Sequence, residues 1–214
     1  MLDTTYFLPI EQVEMFNQHG FASSIFEVPT LLPKVGNKKA QSIWKEPNNS
    51  IVAKMLNIID LDPDILAPLI GMSAKTTFIY LKGESDHEIR YSSWVLICRL
   101  AAMKLQGKKL PKPKSYIFDP RERAVLLRFF GEETMRYPES AENNTDGSAI
   151  WDHTPSIETV AKALHFLAEN GYRVPQMMKV WNIEDRTVRR KKTQSPLLFA
   201  QFILMCEVIL HVTG

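Results

Sequence analysis

Apolar residues recur along this chain mostly at the three- and four-residue spacing of helices buried on one side. Over residues 50–60, Val52, Met55, Leu56 and Ile59 fall at i, i+3, i+4 and i+7, which predicts a helix with one buried face. A second helix is predicted over 64–70, with Asp62 or Asp64 as its cap, followed by a turn at Gly71. Ser73 caps a third helix that runs through Leu81 and is ended by Gly83. A longer apolar helix covers 91–105. The pattern then starts again. Thr154-Pro155 open a helix that runs to Gly171, and a helix over 174–180 leads to a turn at Trp181-Asn182. A further helix covers 184–192, and Pro196 precedes a last apolar helix over 197–212. Val160-Ala-Lys-Ala-Leu164 echoes Val52-Ala-Lys-Met-Leu56. The offset is 108 residues at the first helix and 111 at the turn, which implies an internal repeat with a three-residue insertion in the second copy.

The rest of the chain is read around this repeat. Residues 1–47 are expected to be irregular, with one short helix from Pro9 to Gly20. Pro29, Pro33, Gly36 and Pro47 then punctuate a loop that carries Lys34, Lys38 and Lys39. Residues 104–114 hold five lysines, two prolines and no acid, the composition of an extended linker. Asp119 and Pro120 start a middle helix through Phe130, and residues 138–153 form a polar loop around Asn144-Thr-Asp-Gly147. The predicted fold is all-α. Its units are residues 48–105 and 154–214, joined by the linker, helix and loop of 106–153 and preceded by 1–47.

Composition narrows the function. The chain has 214 residues, 45% hydrophobic and 23% charged, as in an ordinary globular protein. A net charge of +2 excludes a polybasic coat, so any nucleic-acid contact rests on local patches. Cys98 and Cys206 sit in apolar runs and read as buried thiols, and no Cys/His spacing suggests zinc. The N-terminal region lacks a basic and apolar signal pattern. The apolar run 197–210 is broken by Gln201 and Glu207 and is shorter than the about 20 residues a membrane span needs. A cytoplasmic protein with no cofactor and no membrane partner is expected.

An enzyme is not expected. The chain has no phosphate-binding Gly loop, no GxSxG elbow and no His-Glu-x-x-His helix. His19, His87, His153, His165 and His211 are scattered. Asp152-His153 is the one candidate acid–base pair, and it reads as part of a surface loop without a companion motif. A recombinase or transposase would need a separate acidic catalytic domain, for which no span remains.

The chemistry concentrates at two turn-and-helix segments. Around the first, Leu66, Ala67, Ile70 and Met72 flank the Gly71 turn, Tyr80 fits an inner position and Thr77 is a moderate core residue. Around the second, Asn182 makes the turn, since Asn also tolerates positive φ. Met177, Trp181, Ile183 and Val188 supply the apolar set, with Met178 where a small residue is usual. Both segments resemble the lambda-repressor/Cro-type helix-turn-helix superfamily. The string Leu66-Ala-x-x-x-Gly-Met-Ser-x-x-Thr76 carries that resemblance most closely, and Arg186-Thr-Val-Arg-Arg190 resembles the recognition helices of bacterial regulators. The resemblance covers about residues 48–105 and 154–212 and implies two compact helical bundles, each containing a helix-turn-helix.

It also implies that the outer face of each third helix meets the major groove. In the first copy these positions are Ser73, Lys75, Thr76 and Ile79, with Lys82 near the backbone. In the second they are Asp185, Arg186, Thr187 and Arg190, with Arg189, Lys191 and Lys192 close by. Arginine reads guanine through its fork to O6 and N7, and Arg186 and Arg190 share one helix face. Thr76 and Thr187 suit a phosphate or a thymine methyl group. Glu184 and Asp185 complement the dipole at the helix start.

The expected function is sequence-specific binding of double-stranded DNA, as in a bacterial, phage or plasmid transcriptional regulator. No small-molecule ligand is evident. A homodimer is expected from the two apolar helices, although two units in one chain also allow a monomer to read two half-sites. The alternative is a helical adaptor of a mobile-element or phage complex. In that reading helices 91–105 and 197–212 are protein interfaces, and at most one unit touches DNA.

Overall fold

Pro9 starts helix α1 (Ile10–Gln18), which Gly20 turns into a 3-10 turn (Ser23–Phe26) and the strand β1 (Thr30–Leu32). The computed structural model describes residues 5–32, 41–139, 151, 153–194 and 196–214. The Lys34, Lys38 and Lys39 cluster, the Asn144–Gly147 turn and Asp152 therefore lie outside the described residues. Strand β2 (Gln41–Ile43) pairs antiparallel with β1, with Leu31 opposite Ser42. Four helices complete the first half: α2 (Asn49–Ile59), α3 (Pro63–Ile70), α4 (Ala74–Leu81) and α5 (Tyr91–Leu105). The second half adds α6 (Pro120–Leu126), a 3-10 turn (Glu133–Met135), α7 (Ile157–Glu169), α8 (Val174–Trp181), α9 (Asp185–Lys191) and α10 (Phe199–Thr213). The protein is thus mainly helical, with one short hairpin among the described residues that the hydrophobic pattern did not announce.

The helices of the two halves match. Asn48 caps α2 by accepting from the Ile51 amide at 3.0 Å, and Ser156 caps α7 by accepting from Thr159 at 3.1 Å. Such a cap satisfies a helix-start donor and contributes about 1 kcal/mol. Helices α3 and α8 each span 8 residues and end on a left-handed residue, Gly71 at φ 69° and Asn182 at φ 49°. Helices α5 and α10 each span 15 residues, 108 apart.

The correspondence reaches further than the expected repeat. Tyr6 bridges to Glu27 in the first half, and Tyr116 to Arg136 in the second. The Phe7 amide donates to the Phe26 carbonyl and the Ile117 amide to the Met135 carbonyl, each at 3.0 Å. Between those bridges lie α1 with its 3-10 turn and α6 with its own. Trp44 meets Tyr91, the first residue of α5, edge-on at 5.1 Å. Trp151 meets Phe199, the first residue of α10, edge-on at 5.4 Å. The stretches expected to be an irregular terminus and a middle connection therefore carry the same frame. Helix α6 stops at Leu126 rather than Phe130. Phe129 and Phe130 both donate to the Leu126 carbonyl at 2.9 Å, which lets the first ring pack on Phe166 and the second on Phe202.

One continuous core joins the halves. Helix α5 buries every residue from Tyr91 to Cys98, and α10 every residue from Phe199 to Cys206. A helix apolar on all sides belongs in a core, and these two pack against each other. At their crossing Arg99 and Glu207, counterparts in the repeat, form a bidentate ion pair whose Nη2–Oε2 distance is 2.8 Å. Burial works against the Arg99 charge, but the Glu207 carboxylate outweighs it and holds the guanidinium protonated more firmly than usual. Both thiols are fully buried, and that burial pushes the Cys98 and Cys206 pKa values well up. Among the described residues no helix is long and apolar enough to cross a membrane.

Candidate nucleic-acid interface

Each half presents one short helix on a turn built the same way. The amide of Met72 reaches back to the Ala67 carbonyl at 3.1 Å, and that of Ile183 to the Met178 carbonyl at 3.2 Å. This bond closes a helix end through a left-handed residue. Ala67 and Met178 are both fully buried, so the larger side chain is accommodated where a small one is usual. Gly71 has a second constraint. A Cβ there would lie 3.2 Å from the Ala200 backbone nitrogen, so the turn of the first half seats against the start of α10 in the second.

The inner faces of α4 and α9 fix their orientation. Thr77 and its counterpart Val188 are fully buried. Thr77 is a full core residue because its hydroxyl donates to the Ser73 carbonyl at 2.9 Å, leaving its methyl to pack. Tyr80 and its counterpart Lys191 are also buried. The Tyr80 hydroxyl donates to the His87 carbonyl at 2.9 Å, and the Lys191 ammonium donates to the Pro196 carbonyl. Both tips thus tether the loop that leads into the long helix of their half.

Two expected contact residues consequently face inward. Ser73 is 1% exposed, and its hydroxyl accepts from the Thr76 amide at 3.1 Å as the cap of α4. Lys191 is 7% exposed and serves the loop tether. The helix phase that buries Thr77 and Tyr80 also buries these two. The remaining expected residues lie on the outer side. On α4, Lys75 and Lys82 are exposed, and Thr76 and Ile79 are half-buried. On α9, Arg186, Arg189 and Arg190 are exposed, and Asp185, Thr187 and Lys192 are half-buried. Asp185 binds Arg189 through two contacts of 2.7 and 3.1 Å, and that hydrogen bonding raises the Arg189 pKa. Arg186 and Arg190 form no ion pair among the described residues, and they stand one helical turn apart on the same face.

Sequence reading missed Phe78. It is 48% exposed on the outer face of α4, with the Lys82 ammonium 4.4 Å from its ring centre. The signal was available, since Phe78 follows the inner Thr77 by one residue and precedes the inner Tyr80 by two. Its counterpart in the second half is Arg189.

Other candidates gain less. Of the linker lysines, Lys104 pairs with Asp60 at 3.4 Å and Lys114 with Glu139, while Lys108, Lys109 and Lys112 are exposed. His153 lines a shallow cleft with Lys114, Glu133, Arg136 and Glu139, whose carboxylates already pair with Arg136 and Lys114. Among the described residues no group of His, Cys, Asp and Glu is arranged to hold a metal ion. Compared with protein families, with curated proteins and with solved structures, the chain matches none of them.

Proposed function

We propose that this protein binds double-stranded DNA in a sequence-specific way, as a bacterial, phage or plasmid transcriptional regulator does, through two helix-turn-helix units formed by α3–α4 and α8–α9. The observation that carries the reading is the pair Arg186 and Arg190. Both are exposed, both are on one face of α9, and the helix is held at a fixed angle by the Asn182 turn and the buried Val188. Each guanidinium offers the planar fork that matches guanine O6 and N7. Thr187 and Lys192 flank them for phosphate contact, and Asp185 holds Arg189 across the face. The first unit offers Lys75, Thr76, Ile79 and Lys82 in the same frame.

A second reading has one observation in its favour. Phe78 exposes an aromatic ring on α4, a feature suited to a protein partner, so the first unit is the candidate adaptor surface. Helices α5 and α10, the interfaces first suggested for an adaptor or a homodimer, are consumed in the core.

The test is a salt titration. A duplex enriched from a random library is bound at increasing ionic strength and followed by fluorescence anisotropy. Major-groove reading with several phosphate contacts gives a steep linear fall of log affinity with log salt. A flat salt dependence, or no enriched duplex, removes the DNA reading and leaves the adaptor.

A further inference from the structure

The contacts between the halves are reciprocal. Arg99 touches its own counterpart, Glu207, which places this residue close to the axis relating the copies. Two clefts between the halves repeat this relation. In one, Val180 and Leu204 of the second half face Val95 of the first. In the other, their counterparts Leu69 and Leu96 of the first half face Ile203 of the second. A head-to-tail stack would join unlike surfaces instead. The ion pair adds direction: two identical chains meeting at this point would set arginine on arginine or glutamate on glutamate, whereas first half on second half sets opposite charges together.

From this, and resting on the DNA-binding reading above, we infer that one chain spans both halves of its DNA site as a built-in dimer, and that the two half-sites are inverted and unlike. Helices α4 and α9 sit at equivalent places in halves related by the approximate two-fold, so they approach the duplex in inverted orientation. Their outer faces share a cation and a threonine, Lys75 with Arg186 and Thr76 with Thr187. They differ at the next turn, where Phe78 and Ile79 stand in place of Arg189 and Arg190. The α9 half-site is guanine-bearing, read by Arg186 and Arg190. The α4 half-site is thymine-rich, because thymine is the base that offers a methyl group to apolar side chains in the major groove. A homodimer of identical units reads a palindrome; this chain reads a pseudo-palindrome that fixes its direction on the DNA.

Selection from a random duplex library with the full chain, followed by sedimentation equilibrium of the enriched duplex, tests this. The expected result is one chain per duplex on inverted half-sites, one guanine-bearing and one thymine-rich. The variant Lys75→Arg with Ile79→Arg, checked for an unchanged melting temperature, is expected to replace the thymine-rich half with a copy of the other. Its preference for the original site falls about tenfold or more. A symmetric palindrome bound by two chains, a direct repeat, or an unchanged site for that variant overturns the inference while DNA reading stands. A library from which nothing is enriched overturns both.

Discussion

At position 78 the first half exposes a phenylalanine where the second half, at 189, exposes an arginine. One residue later Ile79 faces Arg190 in the same comparison. Beneath those differences the frames agree, with Thr77 matching Val188, Tyr80 matching Lys191 and Gly71 matching Asn182. Packing constrains the inner positions of α4 and α9 to side chains that fill a site or tether a loop. The outer positions are not packed into the core, so they are where two copies of one frame can acquire different ligand chemistry. The exchange of Phe78 and Ile79 for Arg189 and Arg190 falls on the face that the proposed function offers to DNA, and on that reading the two copies recognise different bases.

The comparison breaks most sharply at α9. Replacing Arg186 and Arg190 together with alanine is expected to lower affinity for the enriched duplex about 30-fold or more, since each bidentate base contact is worth about 1–3 kcal/mol. Both side chains are exposed, so the melting temperature holds. Anisotropy titration and a thermal melt read the two quantities separately. Unchanged affinity would show that α9 is not the guanine reader and that the two units do not differ in the way proposed.

The next effect falls on the junction of the halves. Glu207→Ala leaves the Arg99 guanidinium without its partner in a site where the two side chains are 25% and 20% exposed. Loss of one member of a fully buried pair costs about 3–5 kcal/mol, and partial solvent access reduces this to about 2 kcal/mol. Urea denaturation of Arg99→Leu with Glu207→Leu is expected to recover most of the loss, because apolar residues replace a desolvated pair at little net cost. A neutral Glu207→Ala would mean that the ion pair does not hold the two halves in register.

Much of this organisation was legible in the helical period. The cap at Ser73, the turns at Gly71 and Asn182 and the apolar stripe of α2 are local signals that one stretch of sequence contains. The matching ends of the chain were not legible, because they rest on contacts between distant residues. Tyr6 meets Glu27 and Tyr116 meets Arg136 through bridges too short to leave an alternating strand pattern. The Ile43-Trp44 and Ile150-Trp151 dipeptides were visible, but nothing local says that each tryptophan meets the first ring of a long helix. At the site, counting charge without helix phase put Lys191 outside. The position is set by Tyr80's role in the other half, where the chain needs a long side chain with a donor at its tip.

A smaller effect distinguishes the two turns. Gly71→Ala places a Cβ at φ 69° and 3.2 Å from the Ala200 backbone nitrogen. The strain of a left-handed alanine is about 1–2 kcal/mol, and the contact with a backbone atom adds to it. The expected fall in melting temperature is several degrees. An unchanged melting temperature would mean that the first turn does not seat on α10 as closely as that 3.2 Å approach implies.

Asn182→Gly is expected to do almost nothing, for reasons that oppose each other. Glycine relieves the mild strain of an asparagine at φ 49° and removes an Oδ1 that is buried without a hydrogen-bond partner among the described residues. Against this, glycine gains more freedom in the unfolded chain, an effect of about 0.4–1 kcal/mol, and the lost side chain leaves a small void. The terms cancel to within about 0.5 kcal/mol. Matched urea curves of Asn182→Gly and the parent chain measure the difference. A loss above 1 kcal/mol would show that the asparagine side chain itself braces α9, and that the second turn holds its helix by a device the first turn lacks.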